Sequence, residues 1–323
     1  MNKQGLIVCD PAMLEIYRNA YQLSGKPANI LILGESGTGK DCLAKFIHQA
    51  GNRAKRPFLH INCSAIPSDL FESELFGYES GMFTGALYAG KKGLLESADR
   101  GTIFLDEIGE LALFNQVKLL QFFQEKTITK LGGSSVKHLD IRIICATNVC
   151  LKQAIQNGAF REDLYYRIRV LEFTLPPLRE RPEDLSAFIA LFQKKIAQKP
   201  CEHKIFTKDA LEFLQDRYWA GNIRELQNFV ERLYVLENEK EITRSMIEGH
   251  YYFSTPKSEK TIKPQQKKTL SLKAAIANFE KEYIAEAIKK SDSLDSTAKM
   301  LGIDLSTLNR KKQQYGIYKK WHK

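Results

Sequence analysis

The sequence predicts an α/β domain on a parallel sheet, then a helical subdomain, then a small all-α unit. Three observations carry that prediction. Short apolar runs alternate with helix-like stretches through the first half. A Pro-Pro step then opens a charged helical region. The surplus positive charge gathers in the last fifth of the chain.

The apolar runs are Ile30–Leu33, Thr102–Leu105 and Ile141–Ile144, with helical stretches such as Leu43–Ala50 and Gln116–Gln124 between them. Strands that are apolar throughout and separated by helices belong to a parallel sheet covered on both faces. Ligands of such sheets bind beyond the carboxyl ends of the strands. Polar residues cluster at those ends here: Gly34–Lys40, Asp106-Glu107 and Thr147-Asn148. Pro176-Pro177 closes the region. From Pro182 to about Tyr252 the pattern is helical and charged, with no clear strand. Residues 254–270 are polar, Lys-rich and Pro-containing, the composition of a flexible linker. The expected parts are therefore 1–175, 176–253, the linker 254–270, and a terminal unit 271–323.

A length of 323 residues suits two or three domains. Apolar residues at 43% and charged residues at 27% argue against a mainly disordered chain or a membrane protein. No run approaches the roughly 18 apolar residues of a spanning helix. The start reads as neither signal peptide nor lipid anchor. The six cysteines are scattered without a CxxC pair and the six histidines are dispersed. That is the pattern of reduced thiols in a cytoplasmic protein, without a metal cluster. The net charge of +10 divides unevenly, since residues 254–323 hold 16 Lys+Arg against 7 Asp+Glu. A basic terminal block suggests nucleic acid or another polyanion, although a solvated Lys-rich tail carries the same charge.

Gly34-Glu35-Ser36-Gly37-Thr38-Gly39-Lys40 fits GxxxxGK. Such glycines let backbone N–H groups curl around phosphates at the start of a helix, and Lys40 would reach the β- and γ-phosphates. The next residue is Asp41, where Ser or Thr usually helps hold Mg²⁺. The loop follows an apolar run and precedes a helical stretch, as the motif requires. Downstream, Ile103-Phe104-Leu105-Asp106-Glu107 offers a second acidic site at a strand end. There Asp106 would hold Mg²⁺, and Glu107 would orient or deprotonate the attacking water. The two sites together predict binding of a nucleoside triphosphate.

These residues resemble the AAA+ domain of bacterial enhancer-binding proteins, the activators of sigma-54 RNA polymerase. The resemblance spans nearly the whole chain and is strongest over Glu72–Ala86. In the family this segment carries the GAFTGA loop that contacts sigma-54. Here Gly81-Met82-Phe83-Thr84-Gly85-Ala86 stands in its place, with Met82 for the usual alanine. An aromatic in a Gly-flanked loop reads alone as a packed turn; the resemblance makes Phe83 and Thr84 the partner contact.

Further roles are implied by the same resemblance. Asn62 matches the asparagine that restrains the catalytic glutamate. Thr147-Asn148 matches the first sensor, with Asn148 near the γ-phosphate. Arg161 and Arg167 match the arginine fingers that reach a neighbouring subunit's ATP. Arg224, in Gly221-Asn222-Ile223-Arg224-Glu225-Leu226, matches the second sensor in the helical lid. Trp219-Ala220 precedes it where the family has Trp-Pro. An acidic residue at Asp41 is near the family pattern, which commonly has glutamate there. Many relatives carry a receiver or sensing domain first. This chain starts at the AAA+ domain, which leaves a stand-alone activator controlled by a partner in trans, or a fragment.

In the basic end, Leu272, Ala275, Ile276, Phe279, Tyr283, Ala287 and Ile288 recur at three- and four-residue steps, an amphipathic helix. Asp295–Ile303 and Ser306–Lys312 then read as two short helices around a glycine turn, a helix-turn-helix. This stretch resembles the Fis-type DNA-binding domain that ends many of these activators. Ser306, Thr307, Asn309 and Arg310 would face bases or phosphates, and Lys311 and Lys312 phosphates. Leu305 stands where the family often has arginine. The first helix would supply a dimer contact, so palindromic sites are expected.

The expected protein is thus a bacterial, cytoplasmic AAA+ ATPase. It takes ATP and Mg²⁺, binds upstream duplex DNA, assembles into a ring, taken as a hexamer, and opens promoter complexes of sigma-54 holoenzyme. The alternative is a DNA-binding regulator that acts by occupancy without remodelling sigma-54.

Overall fold

Alternation along the strands decides how this chain is layered. The computed structural model describes residues 7–81, 90–197, 203–252, 277, 280–281, 283–284, 287–288 and 293–316. They fall into a first unit, residues 1–255, and a second, residues 256–323. The strands of the α/β part are β1 (Ile30–Leu33), β2 (Phe58–Asn62), β3 (Gly77–Tyr78), β4 (Lys91–Lys92), β5 (Thr102–Asp106), β6 (Thr127–Thr129), β7 (Val136–His138), β8 (Arg142–Thr147) and β9 (Leu171–Thr174). Five of them form one parallel sheet in the order β2-β5-β8-β1-β9.

Ile30 and Ile32 of β1, Phe104 of β5, and Ile144 and Ala146 of β8 face one core, which α1 (Pro11–Leu23) and α2 (Lys40–Ala50) cover. Leu31, Ile103, Leu105, Ile143 and Cys145 face the other. That side is closed by α3 (Phe71–Phe76), α4 (Leu94–Ser97), α5 (Leu113–Glu125), α6 (Leu151–Gln156) and α7 (Glu162–Ile168). The period of two puts successive side chains on opposite faces, so a run of apolar residues fills two cores at once. The register sets Leu33 beside Thr147 and Asn62 beside Asp106, which levels the polar strand ends.

The rest of the first unit is helical: α8 (Pro182–Ile196), α9 (Lys208–Gln215), α10 (Asn222–Leu236) and α11 (Arg244–Tyr252). Pro182 opens α8 at its first position, where a missing N–H costs nothing. The helices close over Phe188, Phe192, Leu214, Phe229 and Trp219. The indole N–H of Trp219 is satisfied by the Leu214 carbonyl at 2.8 Å. One feature departs from the strandless reading of this region: Ile205–Phe206 and Glu241–Ile242 pair in parallel. Two residues each are too few for an alternation to register in sequence.

In the second unit, a helix Leu294–Leu301 is N-capped by Ser293 and ended by Gly302 in the left-handed region. A second helix, Leu305–Tyr315, is N-capped by Asp304 and ended by Gly316. Ile284, Ile288, Ala298 and Leu308 make their core. Tyr283, expected on the apolar stripe, is 59% exposed, and Ile284 takes the inner position. Leu272, Ala275, Ile276, Phe279 and the linker 254–270 lie outside the described residues.

Candidate functional site

The loop after β1 turns on Gly37 (φ 78°) and Gly39 (φ 98°), both in the left-handed region that favours glycine. Gly39 hands the chain to α2, whose N-terminus is thereby aimed at the loop. Lys40 is almost buried, and its Nζ donates to the carbonyls of Gly34 (2.8 Å) and Glu35 (3.0 Å). Burial pushes the Lys40 ammonium down from its usual range, against the pull of Asp106 and Glu107. Asp41 sits in the first turn of α2 and lies 3.7 Å from Lys45.

Asp106 ends β5, and Glu107 follows in the left-handed region (φ 55°), an uncommon backbone for a non-glycine residue. Burial would raise the Asp106 carboxyl, but His60, Lys40 and the Glu107 N–H (3.0 Å) outweigh it and hold it below its ordinary value. Asn62 does not bond Glu107 directly. Its Oδ1 accepts from Ser64 N (3.0 Å) and lies 2.9 Å from Ser64 Oγ, which also meets Glu107 Oε2. Ser64 therefore stands between the two residues that the sequence paired. Asn148 is exposed at the end of β8, beside the buried Thr147.

The helical subdomain is fastened to this loop. Asn222 is fully buried with φ 52°; its Nδ2 donates to Ser36 O (2.9 Å) and Glu35 Oε2 (3.1 Å), and its Oδ1 accepts from Leu178 N (2.8 Å). Arg224 Nη1 reaches Ser36 Oγ at 3.2 Å, and Ile223 N donates to Gly37 O. Arg179 forks onto both oxygens of Glu35 at 2.9 and 2.6 Å, which holds that carboxyl below its usual range. Arg181 donates to Thr38 O (2.8 Å) and faces Asp184, and both are buried. Asp184 Oδ1 in turn accepts from the backbone of Cys9 and Asp10. A Cβ on Gly37 would lie 2.3 Å from the Gly221 carbonyl oxygen, so the two segments touch backbone to backbone.

Arg161 and Arg167 stand at the two ends of α7. The Arg161 guanidinium is exposed and pairs with Asp163 at 2.7 Å. Arg167 donates through Nε and Nη2 to Phe123 O, near the carboxyl end of α5. With Arg53, Lys126 and Arg142 it lines a basic cavity of about 710 Å³. Asn29, just before β1, donates to the Arg167 carbonyl, which sets this cavity at the amino edge of the sheet, away from the P-loop. Within this subunit, then, neither arginine is brought to the Lys40–Asp106 cluster.

Gly81 is described, whereas Met82, Phe83, Thr84, Gly85 and Ala86 lie outside the described residues. Below that segment β3 and β4 pair antiparallel. Bonds from Leu131 N to Gly77 O and from Glu79 N to Leu131 O tie β3 to the turn of the β6–β7 hairpin.

On the helix Leu305–Tyr315 the expected DNA contacts divide. Ser306 Oγ and Thr307 N and Oγ1 all donate to Asp304, completing the cap, which holds that carboxyl far below its ordinary range. Lys311 Nζ pairs with Glu280 at 2.6 Å, alongside the Tyr315 hydroxyl. The polar atoms of Ser306, Thr307 and Lys311, expected to face DNA, are thus engaged within the unit. Asn309 and Arg310 remain on the exposed face, and Lys312 is half-buried.

Residues 6–174 match the sigma-54 interaction domain, 179–264 the AAA+ ATPase lid domain, and 275–315 the bacterial regulatory protein, Fis family. The chain belongs to the sigma-54-dependent transcriptional regulators. It is 42% identical over 317 residues to the alginate biosynthesis transcriptional regulatory protein AlgB of Pseudomonas aeruginosa, covering 97% of this chain and 68% of that one. It is 40% identical over 296 residues to an uncharacterized protein in the HyuA 5′ region of a Pseudomonas species, covering 92% of this chain and 99% of that one. The crystal structure of NtrX from Brucella abortus in complex with ATP is similar at a TM-score of 0.70 and 30% identity, over 97% of this chain and 69% of that one.

This sigma-54-dependent regulator is therefore an AAA+ ATPase with a lid and a Fis-type helix-turn-helix. Sequence reasoning passed over Ser64, Arg179, Arg181 and Asn222. Asn222 lies inside the segment Gly221–Leu226, and the Arg179-Glu180-Arg181 triplet, one residue after Pro176-Pro177, was the available signal. Neither betrays a partner about 140 to 190 residues away, since long-range pairing leaves no periodicity.

Proposed function

We propose that this chain hydrolyses ATP at the Gly34–Lys40 loop and spends the turnover on opening promoter complexes held by sigma-54 holoenzyme. The reading rests on one observation above all. Asp106 and Glu107 at the end of β5 and Arg224 of the lid, two segments distant in sequence, lie within electrostatic reach of Lys40. The loop fits a polyphosphate: two left-handed glycines, a buried lysine and a helix N-terminus converge on it. Asp106, whose carboxyl is held below its ordinary range by His60 and Lys40, would hold Mg²⁺, an ion that takes oxygen ligands. When bound, Mg²⁺ supplies charge neutralisation for the phosphate oxygens.

This chain's own residues do the rest. Lys40 leaves the loop carbonyls for the β- and γ-phosphates. Glu107 orients the attacking water, held by Ser64 and through it by Asn62. Asn148 and Arg224 sense the γ-phosphate from the sheet and the lid. In a ring, taken as a hexamer, Arg161 of one subunit reaches the nucleotide of the next; Arg167 serves that edge from its seat on α5. Movement passes from Glu107 to the Gly81–Ala86 segment, where Phe83 and Thr84 press on sigma-54. Asn309, Arg310 and Lys312 hold upstream duplex DNA, as dimers through the terminal unit. We place the protein in the bacterial cytoplasm.

Open-complex formation on a supercoiled sigma-54 promoter, with sigma-54 holoenzyme and ATP, tests this reading. The wild type is expected to form open complexes, and the Glu107→Ala and Thr84→Ala variants to form none. ATP turnover without open complexes, on a promoter that a known activator opens, would replace it with the occupancy regulator.

A further inference from the structure

On the Leu305–Tyr315 helix, two side chains near its start, Leu305 and Asn309, face outward with no hydrogen bond or ion pair among the described residues. Leu305 is 39% exposed, although it opens a helix whose inward position is Leu308. Asn309 is exposed one turn later and has no hydrogen-bond partner among the described residues. Their neighbours are committed: Ser306 and Thr307 to Asp304, and Lys311 to Glu280. Residues four apart on a helix stand about 5–6 Å from each other. Base pairs step about 3.4 Å along the duplex, so such a pair meets adjacent base pairs.

The chemistry of the two is selective. A carboxamide pairs bidentately with N6 and N7 of adenine, and an exposed apolar side chain packs on the methyl of thymine. Neither matches guanine, whose N7 and O6 call for arginine or lysine. The carboxylate of Asp304 fills the N-terminus of the helix and repels phosphate there. Phosphate contact is left to Arg310 and Lys312 on the flank.

We propose that Leu305 and Asn309 are the base-reading pair of this chain, and that each half-site carries two adjacent A·T pairs. Adenine of one pair faces Asn309, and the thymine methyl of the next faces Leu305. The inference rests on the DNA-binding reading above and names the sequence class that this reading leaves open.

Selection from a randomised duplex pool with the full chain is the test. The enriched half-site is expected to hold adenine at one column and an A·T pair at its neighbour. Asn309→Ala is expected to flatten the adenine column, losing about 5- to 150-fold of discrimination. Asn309→Arg is expected to move the same column to guanine, a change of specificity that a merely structural residue would not produce. Leu305→Ala is expected to weaken thymine at the neighbouring column only. Arg310→Ala is expected to lower affinity for every sequence alike and to reduce the salt slope by about one. G·C enrichment at both columns, or an Asn309→Ala preference identical to the wild type, would overturn the pair. Salt-dependent retention of duplex without A·T enrichment overturns the pair and leaves DNA binding standing. No retention of any duplex at low salt removes both.

Discussion

The P-loop end of the first unit and the exposed face of the Leu305–Tyr315 helix use polar side chains in opposite ways. Around the P-loop the polar groups are spent on one another across long stretches of sequence: Glu35 on Arg179 and Asn222, Arg181 on Thr38 and Asp184, Asp184 on Cys9 and Asp10. On the terminal helix, the side chains of Asn309 and Arg310 are exposed with no hydrogen bond or ion pair among the described residues. Phosphoryl transfer requires groups fixed before the substrate arrives, and that fixing needs a supporting shell. Reading a duplex requires donors that are still unclaimed when it arrives. Substitution in the first region is therefore expected to cost stability as well as activity, and substitution in the second to cost recognition alone.

The largest effect is expected at Arg181. Arg181→Ala strands the buried Asp184 carboxylate, and an uncompensated buried charge costs about 3–5 kcal/mol. Urea unfolding of the first unit should show it; a loss below about 1 kcal/mol would mean that this linkage is not a support. Gly37→Ala comes next. It combines a left-handed backbone (φ 78°) with a Cβ 2.3 Å from the Gly221 carbonyl. We expect a loss of about 2 kcal/mol and at least tenfold weaker nucleotide binding, because the lid can no longer seat on the loop. Binding unchanged in calorimetry would separate lid docking from the nucleotide site.

How much of this was legible depends on the distance over which each feature is encoded. The three-layer sheet was legible because its signal is local: Ile30–Leu33 is apolar, ends at glycine, and leads into a helix. GxxxxGK and Asp106-Glu107 were legible because spacing alone defines them. The lid fastenings were not. Glu35 reads as a variable loop residue, Arg179 as a surface charge, and only folding sets them 2.6 Å apart. Ser64 was missed for a related reason: it is two residues from Asn62, yet its partner Glu107 lies just past the end of the neighbouring strand β5. On the terminal helix, position along the helix suggested DNA contacts at Ser306, Thr307 and Lys311, but it gave no sign of the bonds their polar atoms make to Asp304 and Glu280.

The cap itself gives an intermediate effect. Asp304→Ala frees three donors at the start of the helix and is expected to cost about 1 kcal/mol. Faster amide exchange should appear over 305–308 and not in the first unit. Smaller still is the acid response of the Glu35 latch. Its folded carboxyl lies below the usual range chiefly because of the Arg179 hydrogen bonds, so its stabilisation is present above the unfolded value of about 4.3. It is lost as pH falls through the lower folded value. Glu35 is 42% exposed and water screens it, so the contribution is about 1 kcal/mol or less. Glu35→Gln should reduce the acid sensitivity of the first unit as pH falls below about 4; an identical pH profile would remove the latch from the stability account.

The smallest effect on stability is expected at Asn309, and there the contrast between the two regions is sharpest. Its side chain is exposed and unpaired among the described residues, so replacing it with alanine removes no contact that folding makes. Alanine is also the better helix former by up to about 0.7 kcal/mol, which tilts the balance toward slight stabilisation. Asn309→Ala should therefore leave the terminal unit within about 0.5 kcal/mol of the wild type by amide exchange, while erasing preference at one operator column. A destabilisation as large as that of Asp304→Ala would show that Asn309 supports the fold. The helix would then be built like the P-loop end, with its polar residues claimed from within.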